Sequence, residues 1–294
     1  MSETPPPAID AFRRAAEAVA DADGLLIAAG AGMGVDSGLP DFRGTTGFWR
    51  AYPALGRAGI RFEQIANPGA FRTDPRLAWG FYGHRLKLYR RTLPHAGFAI
   101  LRSIAAQLAH GAVVFTSNVD GQFQRAGFAE ARIAECHGSI HWLQCAVPCS
   151  PHIWPADGFE PEVDEAACRL QSALPNCPHC GGLARPNILM FGDGQWLARR
   201  SDEQEQRLDN WVSQVSRLVT IELGAGSAIP TVRYFAEQAG APLFRFNPTD
   251  SAVAAGRGEG FAIGALDGLR GLAVALEAAG FLPGSTSPAG RSEQ

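Results

Sequence analysis

Lysine is all but missing from this chain. Of 26 lysines and arginines, Lys87 alone is a lysine and the other 25 are arginines. That bias points to a GC-rich coding sequence, and it confines any self-modification on lysine to one position. An excess of positive charge is missing too. Lysine and arginine number 26 against 29 aspartates and glutamates, a formal net charge of -3, which argues against a nucleic-acid-binding domain. No run of about 18 apolar residues occurs, so no membrane span is expected. Residues 1–7 are polar and proline-rich and lack the apolar core of a secretory signal, so the expected compartment is the cytosol. The expected partners therefore include neither nucleic acid nor membrane.

Apolar material is ample. Of the 294 residues 46% are hydrophobic, which suits a buried core and excludes wholesale disorder. Gly24 to Ala29 is a short apolar run ending in glycines, as in a buried parallel strand. Ala112 to Thr116 and Leu218 to Leu223 read the same way, and Pro242 to Asn247 is a shorter run of this kind. Helical patterns at Asp10 to Asp21, Ala96 to Ala109 and Thr231 to Ala239 alternate with them. The alternation predicts an α/β fold, a Rossmann-like doubly wound parallel sheet, and two segments that interrupt it add a helical insertion and, where the cysteine pairs lie, a small zinc-binding module. Residues 8–44, 95–140 and 188–282 form the sheet domain in this reading. Residues 45–94 are the helical insertion and cofactor loop, 141–187 the zinc-binding module, and 1–7 and 283–294 disordered tails.

Several clusters carry chemistry. Gly30-Ala31-Gly32-Met33-Gly34 follows the first strand, and glycines there let main-chain N–H groups approach a pyrophosphate. His137 is a candidate general base, because an imidazole titrates near neutrality and can accept a proton at working pH. Cys145, Cys149, Cys177 and Cys180 offer four thiolates at spacings found in zinc sites. Such a quartet leaves no open position, so the metal is structural. Cys168, His141, His152 and His179 are substitute ligands of lower rank, and Cys136 reads as a buried apolar thiol. Tyr82 and Arg85, three residues apart in a helical pattern, share one helix face. Taken singly, each feature has a plainer reading: a tight turn, a structural histidine, unmetallated thiols, an exposed helix face.

The ordered set resembles one family, the sirtuins, which are NAD-dependent protein deacylases, over roughly Ala8 to Leu282. Gly30 to Arg43 is similar to the family pattern GAG-x-S-x-x-S-G-I-P-D-F-R, with Gly34 in place of a serine and Leu39 in place of isoleucine. Thr116 to Asp120 resembles T-Q-N-I-D with Ser117 for glutamine, and Leu183 to Gly194 resembles R-P-x-V-V-x-F-G-E with Asp193 for glutamate. His137-Gly138-Ser139, with Cys145 eight residues on, has the family spacing.

The resemblance implies NAD as co-substrate, structural zinc, and acyl-lysine proteins as partners. It implies that Gly30, Ala31 and Gly32 cradle phosphates while Asp41, Phe42 and Arg43 close over the cofactor. Asn118 would act with His137 in catalysis by holding a ribose hydroxyl or a water. Asp120 would accept a hydrogen bond from the nicotinamide carboxamide. Ser117, Gly224, Gly226 and Ser227 would line the cofactor, Asn247 the adenosine ribose and Ala265 the adenine. Ile188, Phe191 and Gly192 would line the acyl-lysine entrance. Tyr82 and Arg85 match the Tyr-x-x-Arg of the desuccinylase class, where they read an acyl carboxylate. The implied reaction releases nicotinamide and O-acyl-ADP-ribose. The departures at Gly34 and Ser117 leave ADP-ribosyl transfer to protein or NAD hydrolysis open as alternatives, and an NAD-sensing module as a third.

Overall fold

The strand Gly24–Ala29 is buried at all six positions, and that explains its place at the middle of a parallel sheet. The computed structural model describes residues 7–40 and 44–284. In chain order its strands are β1 (Gly24–Ala29), β2 (Ala112–Thr116), β3 (Ile133–Glu135), β4 (Gly138–Cys145), β5 (Ile153–Pro155), β6 (Val163–Asp164), β7 (Arg169–Leu170), β8 (Ala184–Ile188), β9 (Leu218–Leu223), β10 (Leu243–Phe246) and β11 (Gly258–Phe261). Six of them form a parallel sheet in the order β11-β10-β9-β1-β2-β3. β1 pairs with β2 from Leu25↔Ala112 to Ala29↔Thr116 and with β9 from Gly24↔Leu218 to Ala29↔Leu223.

Alternate side chains of β1 feed two apolar layers, as strand geometry demands. Leu25, Ile27 and Ala29 pack against the helices Pro7–Asp21, Ala96–Gln107 and Ala265–Ala278. Leu26 and Ala28 face the helices Arg199–Val212 and Thr231–Gln238. Helices therefore cover both faces, the doubly wound architecture expected from the sequence. The edge strands β3 and β11 were not among the expected elements, and the first helix begins at Pro7, within the stretch expected to be a tail.

A second body of structure sits over one end of this sheet. Its antiparallel strands run in the order β5-β4-β8. Beside them lie the helices Gly44–Ala51, Pro53–Arg57, Phe62–Ile65, Pro68–Thr73 and Pro75–Arg91. Helices and strands share one apolar core, in which Phe48, Trp79, Phe81 and Tyr82 meet Ile140, Leu143, Ile188 and Met190. Trp79 Nε1 donates to the Ala184 carbonyl at 2.9 Å, and Gly80 comes so close to the Cys168 carbonyl that a Cβ there would overlap it.

Candidate active site

The chain leaves β1 toward β2 on one side, whereas β9 lies on the other. The carboxyl ends of β1 and β9 thus flank a topological switch point, where open α/β sheets bind ligands. Two glycine turns meet there. Gly30 N–H donates to the Leu223 carbonyl at 2.9 Å, and Gly32 N–H to the Gly224 carbonyl at 3.0 Å. A Cβ on Gly30 would stand 2.6 Å from the Ala225 Cα, so only glycine lets the turns touch. Gly224 has φ +58, the left-handed region that glycine adopts without strain. Gly226 and Ser227 are exposed, and no described residue accepts their N–H groups. Such a cradle of main-chain donors fits a dinucleotide phosphate.

Asn247 is buried beside this cradle, its amide spent internally. Nδ2 donates to the Ala225 carbonyl at 2.8 Å, and Oδ1 accepts from Thr249 N–H and Asp250 N–H, each at 3.1 Å. It braces the second glycine turn. Ala265 opens its helix at the same end of the sheet, with Leu266 N–H held by Asp36 Oδ2 at 2.9 Å. Asp41, Phe42 and Arg43 lie outside the described residues.

The ends of β2 and β3 add the polar side chains. Asn118 Nδ2 donates to the Gly30 carbonyl at 2.9 Å, linking it to the first glycine turn, and Ser117 N–H reaches the Ala29 carbonyl at 3.3 Å. His137 lies two residues past the end of β3 and is half-buried. Burial lowers its pKa, so the ring is neutral and basic near pH 7. Its carbonyl accepts from Leu189 N–H at 3.0 Å, which ties the candidate base to the segment after β8. Cys136, buried beside it, has its thiol pushed up to about 12 by burial, in keeping with an inert apolar role.

Asp120 is buried, and one carboxylate oxygen accepts from Gln122 N–H at 2.9 Å. His141 Nε2 bonds the Asp120 carbonyl at 3.0 Å and closes the turn from the other side. Desolvation pushes the Asp120 pKa up to about 6, with the Glu135 carboxylate adding to it. The folded state then holds this proton more tightly than the unfolded chain. Its contribution is fully present below the ordinary value of 3.8 and is lost as pH rises through about 6. Asp120→Asn is therefore expected to stabilise the ligand-free protein at pH 8 by about 1–3 kcal/mol. The gain should shrink toward pH 4, as thermal melts across that range will read. A gain equal at all pH values would contradict the assignment.

The segment after β8 is rigidly anchored. Arg185 and Asp193 form an ion pair with both side chains at 0% exposure, Nη1 to Oδ2 at 2.8 Å and Nη2 to Oδ1 at 2.9 Å. Asp193 Oδ1 also accepts from Gln195 N–H at 3.1 Å. Phe191 N–H donates to the Ala66 carbonyl at 2.9 Å, and Asn67 Nδ2 donates back to the Phe191 carbonyl at 2.8 Å. Ile188 is buried in the shared core, whereas Phe191 and Gly192 are exposed. Tyr82 and Arg85 lie on the helix Pro75–Arg91, both buried, with the Arg85 Cζ 6.0 Å from the Tyr82 ring centre.

The four cysteines converge although β4, a loop and a turn separate them. Their sulfurs all lie within 4.8 Å of one another, with Cys145–Cys180 and Cys149–Cys177 each 3.7 Å apart. A tetrahedral zinc with Zn–S near 2.3 Å requires edges of about 3.8 Å, so the quartet fits that ion. The substitutes lie elsewhere or outside it: Cys168 is buried in the shared core, His141 bonds Asp120, and His152 packs on Trp154. His179 Nδ1 stands 3.4 Å from the Cys149 sulfur.

Sequence reasoning missed Arg185, Asn67 and Gln122, and it read His141 as a substitute metal ligand, whereas the ring bonds the Asp120 carbonyl. Their partners are carbonyls, amides or a carboxylate brought together only by folding. Of the three missed residues, Arg185 left a trace, as the arginine opening the R-P motif.

Residues 30–214 match the Sir2 family. An NAD-dependent protein deacylase of Pyrococcus furiosus is 30% identical over 226 residues, which cover 76% of this chain and 81% of that protein. The NAD-dependent protein deacylase sirtuin-5, mitochondrial, of Danio rerio is 32% identical over 200 residues, 63% of this chain and 61% of that one. Among solved structures, a Sir2 homologue–NAD complex at 22% identity shares the fold with a TM-score of 0.68, covering 90% of this chain and 94% of that chain. With more than half of its length matched, and with the glycine turns, candidate base and cysteine quartet placed as described, this chain belongs to the Sir2 family.

Proposed function

We propose that the protein removes acyl groups from lysine side chains of proteins in an NAD-dependent reaction that yields nicotinamide and O-acyl-ADP-ribose. One observation carries the reading: Gly30, Gly224, Asn118, Asp120 and His137 gather at one end of the sheet, and the His137 carbonyl grips Leu189 at the peptide-pairing segment. Bound NAD supplies an electrophilic ribose carbon and nicotinamide as leaving group. The two glycine turns, with Ser117 and Ser227, hold its phosphates and riboses, Ala265 its adenine, and Asp120 the carboxamide. Asn118, fixed by the Gly30 carbonyl, orients a hydroxyl or a water. His137 takes a proton on a neutral ring nitrogen. Ile188, Phe191 and Gly192 form the entrance for acyl-lysine, whose backbone adds as a strand. Water exclusion and orientation account for most of the rate. The sheet, the helical insertion and the cysteine-bearing module all contribute to this scheme, the last two packed on one core and the module held by structural zinc. The thiolate quartet favours a reducing compartment, the cytosol.

Acidic acyl groups, succinyl and malonyl, belong to the substrate range beside acetyl. Arg85 supplies a planar cation and Tyr82 a phenol that burial keeps protonated. Matched acetyl- and succinyl-lysine peptides with isotopically labelled NAD, followed by mass spectrometry, test both parts. Free O-acyl-ADP-ribose is the expected product. Label attached to protein, or nicotinamide released without loss of acyl, would move the activity to ADP-ribosyl transfer or NAD hydrolysis. In Arg85→Met the ratio of succinyl to acetyl kcat/KM should fall by about tenfold or more. An unchanged ratio removes the acid-reading role.

A further inference from the structure

Tyr89 lies one helical turn beyond Arg85, where i and i+4 side chains meet. Its hydroxyl accepts two hydrogen bonds from the one guanidinium, from Nε at 2.9 Å and from Nη2 at 2.6 Å. The same cation lies 5.3 Å from the Tyr89 ring centre and 5.2 Å from that of Phe81. Arg85 is 8% exposed and Tyr89 5%. An arginine has several rotatable bonds, and aromatic faces attract its charge without fixing the direction of its fork. The phenol oxygen fixes it, because one acceptor placed between Nε and Nη2 defines the guanidinium plane and its edge.

Tyr89 is held in turn from its own backbone. Gln122 Nε2 donates to the carbonyls of Tyr89 at 3.5 Å and Thr92 at 3.2 Å. Gln122 N–H is accepted by Asp120 Oδ1. The end of this helix is therefore tied to the turn that carries Asp120. Tyr89 and Asp120 also line one cavity of about 200 Å³ with Ser139 and His141.

We propose that Tyr89 is a positioning residue for Arg85, and through it sets the selectivity for acyl groups that end in a carboxylate. The proposal rests on the acid-reading role given to Arg85 above. With the Nε–Nη2 edge on the phenol, the plane of the guanidinium is set before an acyl carboxylate arrives. Without the hydroxyl the guanidinium loses the acceptor that sets its plane, and more of the ordering falls on substrate binding.

Tyr89→Phe keeps the ring, its burial and its attraction for the cation, and removes one oxygen. Steady-state kinetics with succinyl- and acetyl-lysine peptides at saturating NAD should show KM for succinyl-lysine raised about tenfold, with the loss borne by KM rather than kcat. Tenfold corresponds to about 1.4 kcal/mol, the scale of a hydrogen bond to a charged group. A parallel fall for both acyl groups would mark a merely structural tyrosine and overturn the proposal, as would an unchanged succinyl KM. Arg85→Met separates the two failures. If Arg85→Met weakens succinyl-lysine and Tyr89→Phe does not, Tyr89 alone is wrong. If neither changes selectivity, the reading of Arg85 falls and the proposal with it.

Discussion

Replacing His137 with alanine should lower turnover by roughly 10²–10⁴-fold, the usual contribution of a positioned base, while NAD still binds. The binding groups include the main-chain donors of Gly226 and Ser227 after β9, which the substitution leaves in place. Gly138, with φ +74 and packed so tightly on the Asn187 carbonyl that a Cβ would overlap it, keeps the turn's shape without the imidazole. Because burial depresses the His137 pKa below 6.5, the base is already unprotonated at neutral pH. The acid limb of the pH–rate profile therefore lies below the ordinary histidine value and should vanish in the variant. Single-turnover measurements of O-acyl-ADP-ribose formation, paired with calorimetric NAD titration, check this. Unchanged turnover would end the case for His137 as the base.

The second large effect is expected at the cysteine quartet. Structural zinc in small domains contributes an apparent 10–16 kcal/mol, roughly, to folding. Here strands β4, β5 and β8 are eight, three and five residues long. Cys145 ends β4 opposite Ala184, the first residue of β8, so the metal closes the sheet at its far end. At the near end Gly138 pairs with Ile188, next to His137 and the anchored segment. Loss of the metal should therefore fray the sheet toward the site. Cys177→Ser, or treatment with a strong chelator, is expected to abolish activity and lower the melting temperature by more than about 10 °C. Metal content by mass spectrometry, read against the melting curve, decides it. A protein that purifies without zinc and melts unchanged would refute the assignment.

The central strands were legible because each is a continuous apolar run closed by small or polar residues. β3 and β11 were not: Ile133-Ala134-Glu135 is only three residues long, and Gly258-Glu259-Gly260-Phe261 holds two glycines, poor strand formers by themselves. Their pairing with β2 and β10 is set by neighbours, not by local preference. The two inserted segments looked separate because each has its own composition. Contacts such as Trp79 to Ala184, 105 positions apart, join them into one core and leave no local mark. At the site, residue types could be recognised but their partners could not. Asn247 was expected near a ribose, and only the folded backbone shows its amide turned toward Ala225 and Asp250.

The contact between the glycine turns limits how such a chain can drift. A side chain at Gly30 meets the backbone of Ala225, and one at Gly224 meets that of Gly32, so neither position changes unless the other turn moves with it. The two positions are sterically coupled even though 194 positions separate them. Variation has outlets nearby instead: at Gly34 an added Cβ meets nothing harder than the Leu39 side chain, at 3.0 Å, and at Ser117 the side chain is only half-buried. Divergence in cofactor affinity should collect at those side chains, while the junction between β1 and β9 keeps its shape.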